Sequence, residues 1–166
     1  WYGGFAGGVL ATWLYMKTRR QPFLRVADQV IPFIALGHAV GRIGCFTNGC
    51  CVGVPTSAWF GVQFPDHSSP VVPTQLLESI ALLALYLVLR SLHTPHLLRR
   101  PGVLFGLYLL GYALIRGTLE CWRANQPLVL AGRTLHQLIS LALAVVGLVL
   151  VVRGARQHPI DPVRRR

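Results

Sequence analysis

Apolar residues run along this chain in five long blocks, and the segments between them collect most of its arginines. The blocks cover about residues 1–16, 26–46, 73–89, 102–121 and 135–152. Each is close to the roughly 20 residues that an α-helix needs to cross the hydrocarbon core of a bilayer. The pattern predicts an all-α fold, a polytopic membrane helix bundle with about five transmembrane helices. Pro73 stands where a helix start favours proline. Pro32 falls inside the second block, where neighbouring helices can accommodate a kink. Two glycine pairs in the first block, Gly3-Gly4 and Gly7-Gly8, permit close helix packing. Residues 47–72 are polar, contain proline and glycine, and read as a loop, with a partly re-entrant course left open.

Composition sharpens this picture. The chain has 166 residues, a mean hydropathy of +0.52 and 53% hydrophobic residues, yet a formal net charge of +11 and a pI of about 10.8. A soluble domain would have to expose that apolar excess. A nucleic-acid partner is not indicated, because no basic face alternates with stacking aromatics. The charges are instead sorted between loops. Lys17, Arg19, Arg20, Arg25, Arg90, Arg99, Arg100, Arg153, Arg156, Arg164, Arg165 and Arg166 follow the first, third and fifth blocks, whereas the opposite loops hold Arg123 and Arg133. By the positive-inside rule, the N-terminus faces outward, the C-terminus is cytoplasmic and the 47–72 loop is extracytoplasmic. The chain opens on Trp1 without the basic n-region or cleavage site of a signal peptide. It therefore reads as a fragment of a longer membrane protein, with residues 1–157 as a transmembrane domain and 158–166 as a basic cytoplasmic tail. That tail fits either contact with anionic headgroups or a simple topology signal.

Charges inside the apolar blocks carry the chemistry. An arginine at membrane depth costs a few kcal/mol even on lenient insertion scales, about 3 kcal/mol, and usually marks a function. Arg42 ends the second block; Arg116 and Glu120 lie in the fourth. Arg116, Glu120 and Arg123 are spaced i, i+4, i+7 and predict one polar helix face, with Tyr112 a turn earlier. Two readings are open: an Arg116–Glu120 pair that locks helices together, or a charged cavity that receives an anion. Gln75 and Glu78 share a face at the start of the third helix. They serve either as helix-start polar groups or as hydrogen-bond partners, Glu78 being able to take a bidentate arginine. The cysteines Cys45, Cys50, Cys51 and Cys121 do not have paired metal-site spacing, so no metal is expected. Small buried residues, one disulfide on the oxidising side, or a nucleophile activated by a nearby arginine are the readings that stay open.

Four segments together resemble the prolipoprotein diacylglyceryl transferase family. Tyr2-Gly3-Gly4-Phe5-Ala6-Gly7-Gly8 is similar to its His/Tyr-Gly-Gly helix start, and Gly41-Arg42-Ile43-Gly44-Cys45-Phe46-Thr47-Asn48-Gly49-Cys50-Cys51-Val52-Gly53 to its signature. Pro73-Thr74-Gln75-Leu76-Leu77-Glu78 resembles its Pro-Thr/Ser-Gln-x-x-Glu element. The stretch from Gly111 to Arg123 resembles its Gly-Tyr-x-x-x-Arg-x-x-x-Glu-x-x-Arg helix. The order and spacing fit across nearly the whole chain.

The resemblance implies a multi-pass protein of the bacterial inner membrane whose site opens to the extracytoplasmic side. It implies transfer of a diacylglyceryl group from phosphatidylglycerol to the lipobox cysteine of a prolipoprotein, forming a thioether and releasing glycerol 1-phosphate. The implied partners are phosphatidylglycerol, the prolipoprotein signal peptide and membrane lipids, with no nucleic acid and no cofactor. Arg42 and Arg116 would grip the phosphate, with Arg123 secondary, and Glu120 would orient Arg116. Asn48, Gln75, Glu78 and Tyr112 would contact headgroup or peptide, and Gly53 would permit close backbone approach. Three positions depart from the family pattern. Cys45 and Cys50 stand where asparagine and glutamate are usual, and Tyr2 takes the place of the catalytic histidine. A phenol of pKa about 10 is a poor general base at neutral pH. The competing readings are a non-catalytic binder of anionic lipid or lipoprotein, and a thiol redox membrane protein using Cys45, Cys50 and Cys51.

Overall fold

The apolar blocks fold as helices in the computed structural model, which describes residues 2–123, 128–130 and 132–157, with the backbone alone at 2–6, 9, 13, 128–130 and 133. In chain order these are α1 (Tyr2–Thr18), α2 (Phe23–Thr47), α3 (Thr74–Leu92), the short α4 (Pro95–Leu98), α5 (Val103–Leu119) and α6 (Leu135–Arg156). A 3₁₀ turn, Glu120–Trp122, extends α5, and a small hairpin of β1 (Leu128–Leu130) and β2 (Arg133–Thr134) leads into α6. α2, α3, α6 and the continuous run Val103–Trp122 are long and apolar enough to cross a membrane. α1 is a fifth apolar helix of 17 residues. The basic tail expected at 158–166 lies outside the described residues.

Helices α2, α3 and α5 share one core, centred on Ile31, Ala35, Leu89 and Leu104, with Leu85, Tyr86 and Phe105 packed around it. Outward-facing Phe33, Val40, Ile80, Leu114, Leu141 and Val145 are all exposed. A belt of that kind suits lipid, in which helices satisfy their own backbone and present apolar side chains. This is a multi-pass membrane protein. Pro32 is buried within α2, which runs unbroken to Thr47.

The closest helix packing among the described residues lies away from Gly7-Gly8, and the surroundings of Gly3 and Gly4 are outside the described residues. Gly7 and Gly8 of α1 are exposed, and a Cβ on either would meet nothing within 4 Å. The tight crossing joins α5 to α6. A Cβ on Gly106 would lie 2.8 Å from Gly147 O, and one on Gly147 would lie 2.7 Å from Gly106 O. Here small residues let two backbones touch.

One long-range contact fixes the start of α5. Its N-cap is Gly102, at φ +90° and without a side chain to cap the helix. Buried Asp28 of α2 does so across the bundle: its carboxylate accepts from Gly102 N–H and, at 2.8 Å, from Phe105 N–H. Two otherwise orphaned helix donors are thereby satisfied. Asp28→Ala is expected to lower stability by about 1–3 kcal/mol, read as an earlier thermal unfolding midpoint in detergent, whereas Asp28→Asn should lose less.

The loop between α2 and α3 folds back on itself through bridges Pro55–Val71 and Val62–Val71, and reaches α5's end through Gly53–Arg123. That last bridge changes the fate of Arg123. The helix stops at Leu119, tightens to the 3₁₀ turn, and Arg123 is extended at φ −90°, ψ 132°. Arg123 therefore leaves the helical face that its i+7 spacing from Arg116 predicts. The cause is the backbone bond from Val54 N–H to Trp122 O at 2.8 Å.

Candidate active site

Four helix ends meet at one place. The C-terminal parts of α2 and α5 bring Arg42 and Arg116; the N-terminal parts of α3 and α6 bring Glu78 and His136. Past Arg42, α2 ends in a glycine-terminated cap. Gly49 sits at φ +66°, Gly49 N–H bonds Phe46 O at 3.0 Å and Cys50 N–H bonds Cys45 O at 3.2 Å. This pair of bonds is the Schellman arrangement, and it needs a left-handed residue that glycine supplies without strain. Asn48 is the exposed C-cap residue of that turn. The Cys50 thiol also points back to Cys45 O, at 3.7 Å. All four cysteines are free thiols.

The start of α3 clamps the same turn. Thr74 Oγ1 donates to Cys51 O at 2.9 Å, and Gln75 Nε2 donates to Cys50 O at 2.6 Å. Farther along, Ser79 Oγ donates to Ala39 O at 2.9 Å. These bonds tie α3 to α2 and set the height at which Glu78 faces Arg42.

The charged groups then form a chain across the bundle. Arg42 Nη2 lies 2.9 Å from Glu78 Oε1, and Arg116 Nη1 lies 3.8 Å from Glu78 Oε2. Arg116 Nη2 lies 3.0 Å from Glu120 Oε2. On its other oxygen, Glu120 accepts from Thr134 Oγ1 at 2.8 Å and faces His136 Nδ1 at 3.3 Å. Side-chain exposure is 16% for Arg42, 5% for Arg116, 3% for Glu78 and 0% for Glu120. Charges so deeply withdrawn from water persist only when paired.

Glu78 answers both arginines, and Arg116 alone of the two also reaches Glu120. Two arginines and two glutamates leave this inner cluster formally neutral. Arg123, half-buried nearby, makes no ion pair among the described residues. Hydrogen-bonding capacity is also unspent. Arg42 Nε and Gln75 Oε1 are buried without a hydrogen-bond partner among the described residues, which suits a site waiting for a polar ligand. Next to Arg42, a Cβ on Gly41 or Gly44 would meet nothing within 4 Å, so that side of α2 is open.

Tyr112 also joins the group. Its ring lies 5.2 Å from that of His38 and stacks on Tyr108 at 6.1 Å. Beside the cluster, a cavity of about 410 Å³ is lined by Val52, Gly53, Val54, His67 and Arg123 among others. Gly53 is at its wall. A Cβ there would stand 2.6 Å from Trp122 O and 2.8 Å from Val72 Cβ, so the close approach it allows is to its own chain. Gly53→Ala is expected to cost about 1–3 kcal/mol by overpacking and to displace Arg123. Thermal unfolding in detergent and the affinity for an anionic lipid check both effects.

Of the residues singled out from the sequence, Arg42, Glu78, Arg116 and Glu120 touch one another. Gln75 borders them, and Tyr112 sits within electrostatic reach of Arg42. Asn48 is on the adjoining turn, and Gly53 and Arg123 line the cavity. The side chain of Tyr2 lies outside the described residues. Sequence reasoning missed Thr134 and His136. The signal was present as Thr134-Leu135-His136-Gln137 at the head of the fifth apolar block. It forms a capping box, with Gln137 N–H bonded to Thr134 Oγ1 at 3.3 Å and Thr134 N–H to Gln137 Oε1 at 3.2 Å. That motif starts a helix and so puts His136 in its first turn.

Known proteins resemble this chain in sequence. The chain is 33% identical over 164 residues to a phosphatidylglycerol–prolipoprotein diacylglyceryl transferase of Idiomarina loihiensis, an overlap of 95% of this chain and 60% of the relative. Proteins of the same name from Clostridium tetani (34% identity, 89% of this chain, 60% of the relative) and Rhodospirillum rubrum (36%, 96% and 61%) are similarly related. The chain thus spans about 60% of the length of these relatives. A family model for prolipoprotein diacylglyceryl transferase matches residues 1–153, and the chain belongs to that family.

Proposed function

We propose that this chain carries the anion-binding half of an enzyme that moves a diacylglyceryl group from phosphatidylglycerol to the lipobox cysteine thiol of a prolipoprotein. The observation that carries this reading is the convergence of Arg42 and Arg116, from separate helices, on the single carboxylate of Glu78. The reaction forms a carbon–sulfur bond at the glyceryl CH₂ and breaks its bond to the phosphate oxygen. A phosphodiester with one negative charge becomes a phosphomonoester that carries more. Guanidinium groups held in place before reaction, in a poorly solvated site, stabilise that growing charge selectively. Glu78 keeps both of them aligned and prevents their mutual repulsion while the site is empty.

The loop asymmetry of arginines supports a cytoplasmic C-terminus and a site at the extracytoplasmic face of the bacterial inner membrane. In that orientation a secreted prolipoprotein and the lipid meet at the α2–α3 turn. Asn48 and Gln75 Oε1 have the capacity to hydrogen-bond headgroup or peptide.

The test is turnover by the full-length protein, reconstituted with phosphatidylglycerol and a lipobox peptide. A peptide heavier by one diacylglyceryl group is expected. Lipid binding without product, where a reference enzyme works, would reassign the same cavity to a non-catalytic binder.

A further inference from the structure

The proposed reaction needs a base, since the attacking species is a thiolate and the substrate cysteine arrives as a thiol. Tyr2 stands at the family's histidine position and is poorly suited to that task. We infer that His136 is the base that deprotonates the lipobox cysteine, an assignment that rests on the transferase reading above.

Three observations carry it. His136 Nδ1 lies 3.3 Å from Glu120 Oε1, so an Nδ1–H donates to the carboxylate and Nε2 keeps the free lone pair. Glu120 is itself immobilised by Arg116 Nη2 at 3.0 Å and by the Thr134 hydroxyl at 2.8 Å, which fixes the imidazole in turn. The third is access: the His136 side chain is 43% exposed, whereas Glu120 is 0% exposed and Glu78 3%. Both carboxylates are already committed to arginines. His67 and His38 make no ion pair among the described residues, and the His38 ring packs at a tilt of 48° against Tyr112. The carboxylate–imidazole pairing is the arrangement by which a histidine is held in one tautomer for proton abstraction.

Glu120 also bridges the two halves of the reaction. One oxygen faces the phosphate-binding Arg116 and the other faces the base. The thiol proton passes to Nε2 and the sulfur attacks the glyceryl carbon. The electron pair of the broken bond leaves on the phosphate oxygen, and the imidazolium then returns its proton to glycerol phosphate or water. No oxidant or cofactor enters the balance.

The experiment compares wild type, His136→Asn and His136→Ala, each as full-length protein in phosphatidylglycerol liposomes with a lipobox peptide. Asparagine keeps an N–H donor for Glu120 but supplies no base, so it separates proton transfer from mere support of the carboxylate. Both variants are expected to lose at least about 100-fold in kcat, with KM changed by no more than about 3-fold, and added imidazole should restore part of the rate to the alanine variant. Wild-type kcat/KM should fall in acid as His136 is protonated in the field of Glu120, Arg116, Arg123 and Arg42; that inflection should vanish in His136→Asn. Full activity of His136→Asn beside an active wild type would overturn the assignment and leave the transferase reading intact. A wild type that makes no thioether would remove both.

Discussion

Arg116→Ala is expected to reduce thioether formation by at least about 10²–10³-fold, the cost of removing one preorganised donor from a developing oxyanion. The substitution does more than delete a donor. Arg116 lies between Glu78 and Glu120, and its loss leaves Glu120, with 0% side-chain exposure, facing only Thr134 and His136 among the described residues. Breaking a buried pair from one side costs about 3–5 kcal/mol, so the variant should unfold at lower temperature as well. Arg116→Lys separates the two effects. A lysine keeps the charge but is a point donor, unable to address two carboxylates with one planar fork. It should recover much of the stability and little of the rate. Product mass spectrometry and thermal unfolding in the same detergent read the two separately.

Glu78→Gln should be the second most damaging change. Glu78 Oε1 and Oε2 face Arg42 and Arg116 respectively, and the neutral amide gives two cations a shared neighbour that no longer cancels them. Arg116 retains Glu120 and Arg42 keeps some exposure to solvent, so the stability loss falls toward the lower end of the same ~3–5 kcal/mol range. Transfer per folded molecule should drop by about 10²-fold, because displacement of the guanidiniums by 1 Å is enough to do so. An unchanged rate beside a lowered melting temperature would make Glu78 a purely structural counter-ion.

Much of this site could be read from the chain because lipid makes charge conspicuous. Arg42, Arg116 and Glu120 stand out in apolar blocks whatever the tertiary packing, and the blocks themselves match α2, α3, α5 and α6 within a few residues. Glu78 was legible as a carboxylate on the start of α3, but its position between two arginines depends on the α2–α3 register set by Ser79 and Ala39. Arg123 was misplaced because helical periodicity presumes that the helix continues. A bond from a residue far earlier in the chain ends it. Asp28 too is a charge within an apolar block, but nothing local shows its role, since the donors it satisfies are at Gly102 and Phe105. The small-residue crossing at Gly106 and Gly147 was likewise invisible, because glycine in a membrane helix is common and only its partner shows what it is for.

Selective lipid retention tests the phosphate grip without requiring turnover. Full-length protein released from mixed bilayers and weighed by native mass spectrometry should carry phosphatidylglycerol in preference to phosphatidylcholine, and Arg42→Ala and Arg116→Ala should each abolish that preference. Equal retention of phosphatidylglycerol by wild type and both variants would mean that these arginines hold only each other's carboxylates, and would contradict the account.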